Sequence, residues 1–200
     1  VAHLVLAAII TFCGPLQFVP AIRKRAIGFH RWNGRVYVAT AFVISLGAIY
    51  MIATRGAGGF NAIAIQINAL LIMVCAALTL RAVLRRNIAA HHRWALRTFL
   101  LVSGVWFLRI GYVFLGVLFQ GRPPGVGDNL DGPTDLALAY TSFFLPLIVL
   151  QLYFWAKDSK GVGPKWAMSS VLVVVSLVTA VGVLGNTFGS WIPKIMIGLS

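Results

Sequence analysis

The sequence contains no glutamate, and its four acidic residues, all aspartates, are outnumbered by 17 lysines and arginines. Charged residues of either sign make up only 10% of the chain. The patterns of several common catalytic sites are also absent: there is no P-loop, no G-x-S-x-G, no H-E-x-x-H and no paired-carboxylate arrangement. The sequence therefore gives no positive sign of an enzyme. No carboxylate lies within a long apolar run, which argues against an ordinary proton-coupled transporter.

Cysteine is scarce as well. The chain has two cysteines, Cys13 and Cys75, and each lies inside an apolar run. We expect free, buried thiols that behave as small apolar residues. The sequence offers no disulfide framework.

Hydrophobic residues, by contrast, make up 60% of the chain. A helix needs roughly 20 apolar residues to cross about 30 Å of hydrocarbon, and several runs reach that length. The runs cover residues 1–22, 36–54, 60–80, 98–120, 136–156 and 167–188. The alternating polarity of membrane-spanning strands is missing. We therefore predict an all-α integral membrane protein with about six transmembrane helices, in a single membrane domain over residues 1–200.

The cations are distributed unevenly between the two predicted sides of the membrane. Thirteen of the 17 fall in alternate connections: Arg23, Lys24, Arg25, Arg31, Arg35; Arg81, Arg85, Arg86, Arg93, Arg97; Lys157, Lys160, Lys165. Because cytoplasmic loops are enriched in Lys and Arg, these connections are predicted to face the cytoplasm. The pattern favours a multi-pass protein of the bacterial inner membrane with its C-terminus outward. The net charge of +13 then reflects this topology and contact with anionic lipids, and we do not expect nucleic-acid binding.

A motif occurs twice in the chain. The pattern H-R-W-x-x-R at residues 30–35 returns at residues 92–97, and the ungapped comparison continues on both sides. It pairs Cys13 with Cys75, Arg23 with Arg85, Val43 with Val105 and Tyr50 with Tyr112. We predict a tandem two-helix repeat, with unit 1 at 1–58, unit 2 at 59–120 and an additional helical hairpin at 136–190. Since each unit crosses twice, the two would be related by a parallel pseudo-twofold axis.

The two copies of the motif suggest a binding site. His30 and His92 would approach each other across the pseudo-twofold axis, and two neutral imidazoles can ligate a haem iron. Nearby arginines such as Arg35 and Arg97 could pair with the propionates. We favour His92 over the adjacent His91 because the repeat matches His92 with His30.

A simpler interpretation needs no ligand. Trp32 and Trp94 would anchor the helices at the membrane interface, while Arg31 and Arg93 would contact lipid phosphate. The histidines would then cap helices or bond carbonyls. Repetition alone does not separate these interpretations, since duplication copies anchors as readily as ligands.

Two further residues are candidates for function. Arg109 falls within a predicted helix, where charged residues usually face the bundle interior and bind a ligand or a buried partner. His3 lies near the outer end of the first predicted helix, some 20 Å or more from His30 if that helix spans the membrane. It would belong to a separate outer site or bond a carbonyl.

An ordered set of motifs resembles a family of bacterial membrane proteins. The set is His3, Gly14-Pro15-Leu16-Gln17-Phe18, His30-Arg31-Trp32-x-Gly34-Arg35-x-Tyr37, Ala90-x-His92-Arg93-Trp94-x-x-Arg97 and Leu108-Arg109. Over about residues 3–155 the chain resembles domain of unknown function 2306. The resemblance implies a multi-helix inner-membrane protein, and it brings no established activity.

Three functional hypotheses follow. The first is a non-catalytic accessory or scaffold subunit of a larger membrane complex, which needs no cofactor. The second is a membrane redox protein that binds haem b or a quinone at the His30/His92 cluster. The third is a small-molecule transporter. A redox role rests on analogy with two-haem membrane cytochromes, and a fold-level analogy does not by itself imply function.

Overall fold

The computed structural model describes residues 2–55 and 60–198, without the side chains of residues 2–4, 55, 60–61 and 190. Throughout these ranges the regular structure is helical, and the described residues form no strand. The helices are α1 (Ala2–Leu16), α2 (Pro20–Arg25), α3 (Ile27–Arg55), α4 (Phe60–Leu84), α5 (Ile88–Val102), α6 (Gly104–Leu118), α7 (Pro133–Asp158), α8 (Val162–Asn186) and α9 (Ile192–Gly198). A π-helical turn, Thr187–Trp191, joins the last two. The all-α prediction is confirmed.

The chain forms two compact units, Val1–Val102 and Ser103–Ser200. We call them the N-terminal unit and the C-terminal unit. Their boundary falls inside the second predicted repeat, residues 59–120, and the tandem repeat stays a prediction.

The N-terminal unit is built by packing of α1 on α3, α3 on α4 and α4 on α5. Small side chains lie at the centre of these contacts: Ala41 and Ala76 are at most 1% exposed. Without a hydrophobic driving force between helices in lipid, such residues permit the close approach on which helix packing depends.

The connection between α4 and α5 is a compact turn whose geometry follows from its residues. Arg86 has a positive φ of 56°, and the backbone N–H groups of Arg86 and Asn87 donate to the carbonyls of Val83 and Ala82. These two bonds form a Schellman motif that ends α4. The Asn87 side chain then accepts a hydrogen bond of 3.0 Å from the Ala90 N–H, which caps the start of α5. This turn fixes the position of His91 and His92 in the first turns of α5.

The C-terminal unit is built by packing of α6 on α7 and α8. Gly182 of α8 lies directly against Ile110 of α6, where any larger residue would clash with the Ile110 side chain. Phe143 and Phe154 of α7 are buried at 2% exposure each. The loop before α7 is held by Asp135, whose carboxylate accepts hydrogen bonds from the Tyr112 hydroxyl and from the backbone N–H groups of Gly127 and Gly132.

The described residues contain four helical segments long and apolar enough to cross a membrane: Ile27–Thr54, Ala62–Leu84, Pro133–Asp158 and Val162–Gly198. A fifth is obtained if α5 and α6 form one span. The prediction of six spans is therefore not confirmed. The region of the predicted first span, 1–22, contains the short α1 followed by α2, because Pro20 has no backbone N–H to continue α1 and Val19 before it is extended. With five spans, every basic connection keeps its predicted side.

Candidate functional site

Helix α3 carries polar residues on the face that it buries. Asn33, Tyr37, Thr40 and Ser45 are each at most 6% exposed, and His30 begins this line in the first turn of the helix. The two H-R-W motifs thus lie at the starts of α3 and α5, as expected from their position before the apolar runs. A membrane helix that buries hydroxyl, amide and imidazole groups needs partners for them inside the protein.

Helix α1 and the turn after it supply hydrogen-bond partners for some of these polar groups. The Asn33 amide donates a 2.9 Å hydrogen bond to the Cys13 carbonyl. The Gln17 amide oxygen lies where Gly34 leaves room, since a Cβ there would be 3.2 Å from this oxygen. The Gln17 Nε2 also makes a long hydrogen bond of 3.5 Å to the His30 carbonyl. Because position 34 is a glycine, the Gln17 side chain can pack against the turn of α3 that carries His30.

Aromatic side chains pack next to Gly14 of α1. A Cβ at the buried Gly14 would lie 3.1 Å from the Tyr37 ring and 3.0 Å from the Phe99 ring. Phe18 packs edge-on against Phe99 with ring centroids 5.0 Å apart. Because these residues come from α1, α3 and α5, the three helices converge at Gly14.

Two buried polar atoms of α3 have no hydrogen-bond partner among the residues that the structure describes. They are His30 Nδ1 and the Tyr37 hydroxyl, which lie two helical turns apart and are both buried. An unsatisfied buried polar group costs about 1–3 kcal/mol, and an unpaired group in a native structure asks for an explanation. Both atoms are available to a ligand.

The residues that act electrostatically on His30 are His91, Arg23 and Arg31. His91 Nδ1 lies 3.1 Å from the Thr79 carbonyl oxygen of α4. Because a carbonyl oxygen only accepts, Nδ1 carries the proton, and Nε2 of the neutral ring offers a lone pair. The bond to Thr79 thus orients the His91 ring on α4 and favours one tautomer. We call the set Gln17, His30, Tyr37 and His91 the polar cluster.

The repeat in the sequence favours His92 over His91 as the partner of His30. The repeat pairs His92 with His30, yet neighbouring helix residues point about 100° apart, and His91 lies near enough to His30 to act on it electrostatically. The sequence feature that points to His91 is that two histidines, His91 and His92, are adjacent. Tyr37 was missed because the repeat pairs it with a phenylalanine, Phe99, so its hydroxyl is present in one copy only.

The other residues of the two motifs differ in their surroundings. Arg31, Trp32 and Arg35 are exposed on α3, whereas His92, Arg93, Trp94 and Arg97 are half-buried on α5. The Arg97 guanidinium lies 4.8 Å from the centroid of the Trp94 ring and donates to the Arg93 carbonyl. The exposed Trp32 and Arg31 suit the predicted interfacial anchor. Their contact with lipid stays a prediction, as do the ligand roles of His92, Arg35 and Arg97.

Two further predictions concern Arg109 and His3. Arg109 lies on α6 with an exposed side chain, so the expected position in a bundle interior is not observed. The His3 side chain lies outside the described residues. Among the residues that are described, no three histidine, cysteine or acidic side chains are grouped to hold a metal ion.

The sequence profile of one family, "Predicted membrane protein (DUF2306)", matches residues 1–125. This chain belongs to that family. The match covers the whole N-terminal unit, including the polar cluster, and the start of the C-terminal unit. No curated protein and no solved structure shows a significant match. The chain is therefore a membrane protein with several apolar helices, and its activity has to be argued from the site.

Proposed function

We propose that the N-terminal unit binds a lipid-soluble quinone at the polar cluster, and that the protein serves membrane redox chemistry. One observation carries the proposal: His30 Nδ1 and the Tyr37 hydroxyl are both buried, and neither has a hydrogen-bond partner within residues 2–55 and 60–198. A quinone head group has carbonyl oxygens that accept hydrogen bonds and a flat apolar ring.

The groups around these two atoms suit such a head group. The Tyr37 hydroxyl and the Gln17 amide are donors for a carbonyl oxygen. The rings of Phe18, Phe99 and Tyr37 offer an aromatic surface near Gly14. Binding sites of this kind combine a mostly apolar lining with a few placed polar groups.

His91 gives the site a second nitrogen. With its proton on Nδ1 and bonded to Thr79, its Nε2 can accept a hydrogen bond from a reduced, hydroxyl-bearing head group. In this proposal, His30 and His91 together form hydrogen bonds with both the oxidised and the reduced quinone head group. In the alternative of haem b, His30 and His91 are the residues that would hold the iron, and the haem would supply electron transfer.

Binding is tested with the purified protein in detergent. Decylubiquinone and menadione are titrated, and quenching of the fluorescence of the six tryptophans reports binding. His30→Ala and His91→Ala should each weaken binding about tenfold, as expected for a lost hydrogen bond in a desolvated site. His92→Ala is the matched control, since it removes the same side chain from the neighbouring position and should change affinity less than twofold.

The outcomes separate the hypotheses. A larger loss with His92→Ala than with His91→Ala would restore the pairing that the repeat predicts. Equal, small effects in all three variants would contradict the site. A reduced-minus-oxidised visible spectrum with sharp Soret and α bands would replace the quinone by haem.

Arg109 favours a second function, that of an accessory subunit in a larger membrane complex. A cation within an apolar helix is costly at membrane depth, and the exposed Arg109 side chain would be satisfied by a carboxylate or carbonyl of another chain. A photo-crosslinking residue placed at position 109 should give one discrete adduct with a second chain in intact membranes. The same residue at the exposed Leu177 of α8 is the control. Crosslinks within the chain alone would contradict this function.

A further inference from the structure

A cavity of about 300 Å³ lies in the C-terminal unit, between the end of α7 and the beginning of α8. Its lining comes from Tyr153, Ala156 and Lys157 of α7 and from Lys165, Met168 and Leu172 of α8. This region lies beyond residues 1–125, the part of the chain that the family profile matches. Neither the polar cluster nor Arg109 contributes to it.

The lining combines two kinds of surface. Lys157 and Lys165, both exposed, come from different helices and both line the cavity. Ala156 and Met168 are buried and, with Leu172, supply an apolar wall. Ser169 also lines the cavity, although its hydroxyl already donates to the Lys165 carbonyl. A ligand that fits both surfaces carries a negative group on an apolar body.

Two tryptophans locate the cavity along the membrane normal. Trp155 and Trp166 are 62% and 71% exposed, and each lies within two residues of a lysine that lines the cavity. Exposed tryptophans next to lysines are typical of the membrane–water interface. The cavity would therefore lie at the depth of the lipid head groups.

The local charge favours an anion. Between residues 157 and 165 there are three lysines, Lys157, Lys160 and Lys165, and one acid, Asp158. Positive clusters next to a membrane helix attract anionic head groups. A phosphate between Lys157 and Lys165 would neutralise the two ammonium groups, and the acyl chain would lie along Leu172.

We propose that the α7–α8 cavity is a binding site for an anionic phospholipid, with Lys157 and Lys165 on its phosphate. The proposal is independent of the ligand of the polar cluster. It differs from general lipid contact because it predicts that two particular lysines select the head group.

The test compares two double variants that change the net charge equally. The intact chain is reconstituted in nanodiscs of phosphatidylcholine with one-fifth phosphatidylglycerol, released into detergent, and its retained lipids are counted by native mass spectrometry. Lys157→Ala/Lys165→Ala should lower retained phosphatidylglycerol about tenfold, since each lysine near a membrane surface strengthens anion binding several-fold. Lys160→Ala/Lys194→Ala should lower it less than twofold, because neither lysine lines the cavity.

Each remaining outcome would overturn the proposal. Equal losses in the two double variants would mean a diffuse electrostatic effect. If the wild type retains phosphatidylcholine as well as phosphatidylglycerol, the site does not select an anionic head group. Competition with inorganic phosphate separates the sources of the anion: displacement of the lipid by millimolar phosphate would assign the site to the free ion. Circular dichroism of both variants checks that the helices are intact.

Discussion

The two units differ in the hydrogen bonding of their buried polar groups. In the described part of the N-terminal unit, Asn33 is bonded to the Cys13 carbonyl, but His30 Nδ1, the Tyr37 hydroxyl, the Ser45 hydroxyl and Asn68 Oδ1 are buried and have no hydrogen-bond partner. In the C-terminal unit, the buried carboxylate of Asp135 accepts three hydrogen bonds. A fully satisfied network stabilises one arrangement of the chain, whereas an incomplete one costs stability and leaves groups available for a ligand.

This difference indicates a division of roles. The hydrogen bonds of Asp135 join α6, α7 and the loop between them, so they serve the fold. The three atoms of α3 that lack a hydrogen-bond partner among the described residues are His30 Nδ1, the Tyr37 hydroxyl and the Ser45 hydroxyl, and the first two belong to the polar cluster. The family match covers all three residues and stops before Asp135. Under the proposed function, stability and binding depend on different parts of the chain, and three sets of variants test this division.

The largest effect is expected for Asp135→Ala. The change leaves the Gly127 and Gly132 N–H groups and the Tyr112 hydroxyl without their acceptor, and the loss of a buried charged acceptor costs about 3 kcal/mol or more. Thermal unfolding in detergent measures it. Asp128→Ala in the same loop is the control: its ion pair with Arg122 is 56–88% exposed, so the cost should stay below about 1 kcal/mol. Similar costs for both would mean that Asp135 does not hold the loop.

An intermediate effect is expected where helices pack at glycine. In Gly182→Ala the new Cβ would meet the Ile110 side chain and lie 3.0 Å from its backbone oxygen, which cannot move without shifting α6. We expect a loss of about 2 kcal/mol from overpacking. In Gly14→Ala the neighbours are the rings of Phe99 and Tyr37, which can give way, and the loss should be about 1 kcal/mol.

Gly47→Ala is the control for both, since a Cβ at this position has no neighbour within 4 Å. Alanine favours a helix over glycine by up to about 1 kcal/mol, so this variant should not be destabilised. If Gly14→Ala costs more than Gly182→Ala, the N-terminal unit is the more tightly packed of the two, contrary to expectation.

The smallest effect on stability is expected for Tyr37→Phe, which is compared with Tyr112→Phe. Tyr112→Phe removes a hydrogen bond to a carboxylate and should cost about 2 kcal/mol. Tyr37→Phe removes a hydroxyl that has no partner, so stability should be unchanged or rise by up to about 1 kcal/mol. Quinone affinity should behave inversely, weakening with Tyr37→Phe and not with Tyr112→Phe. A destabilised Tyr37→Phe protein would show that this hydroxyl is satisfied in the folded state.

Much of the fold was predictable because it depends on local chemistry. The apolar runs predict the membrane helices, and the positions of the two H-R-W motifs predict the starts of α3 and α5. The count of six spans is not confirmed: the described residues contain four candidate spans, or five if α5 and α6 form one. Residues 1–22 are apolar on average, and the average hides Pro20, which has no backbone N–H and begins the separate helix α2.

The candidate site was predictable only in part. His30 was identified from its motif, but the repeat directed attention to His92. Gln17 was visible as part of the family pattern, without any indication that it packs on Gly34. Arg109 was expected in an interior and is exposed. Each of these differences concerns the direction in which a helix faces.

The sequence by itself determined that this is a helical membrane protein of its family, where its apolar segments lie, and that basic motifs begin two of its helices. Hydrophobicity, proline and asparagine act over a few residues, so these features can be read along the chain. The tertiary structure decided that Gln17 lies on Gly34, that His91 bonds to the Thr79 carbonyl, and that Asp135 is satisfied while the Tyr37 hydroxyl has no partner among the described residues. The physical reason is that helices in lipid are apolar on nearly every side. Their sequences therefore carry little periodic signal for which face meets the protein, and close packing at small residues makes that choice.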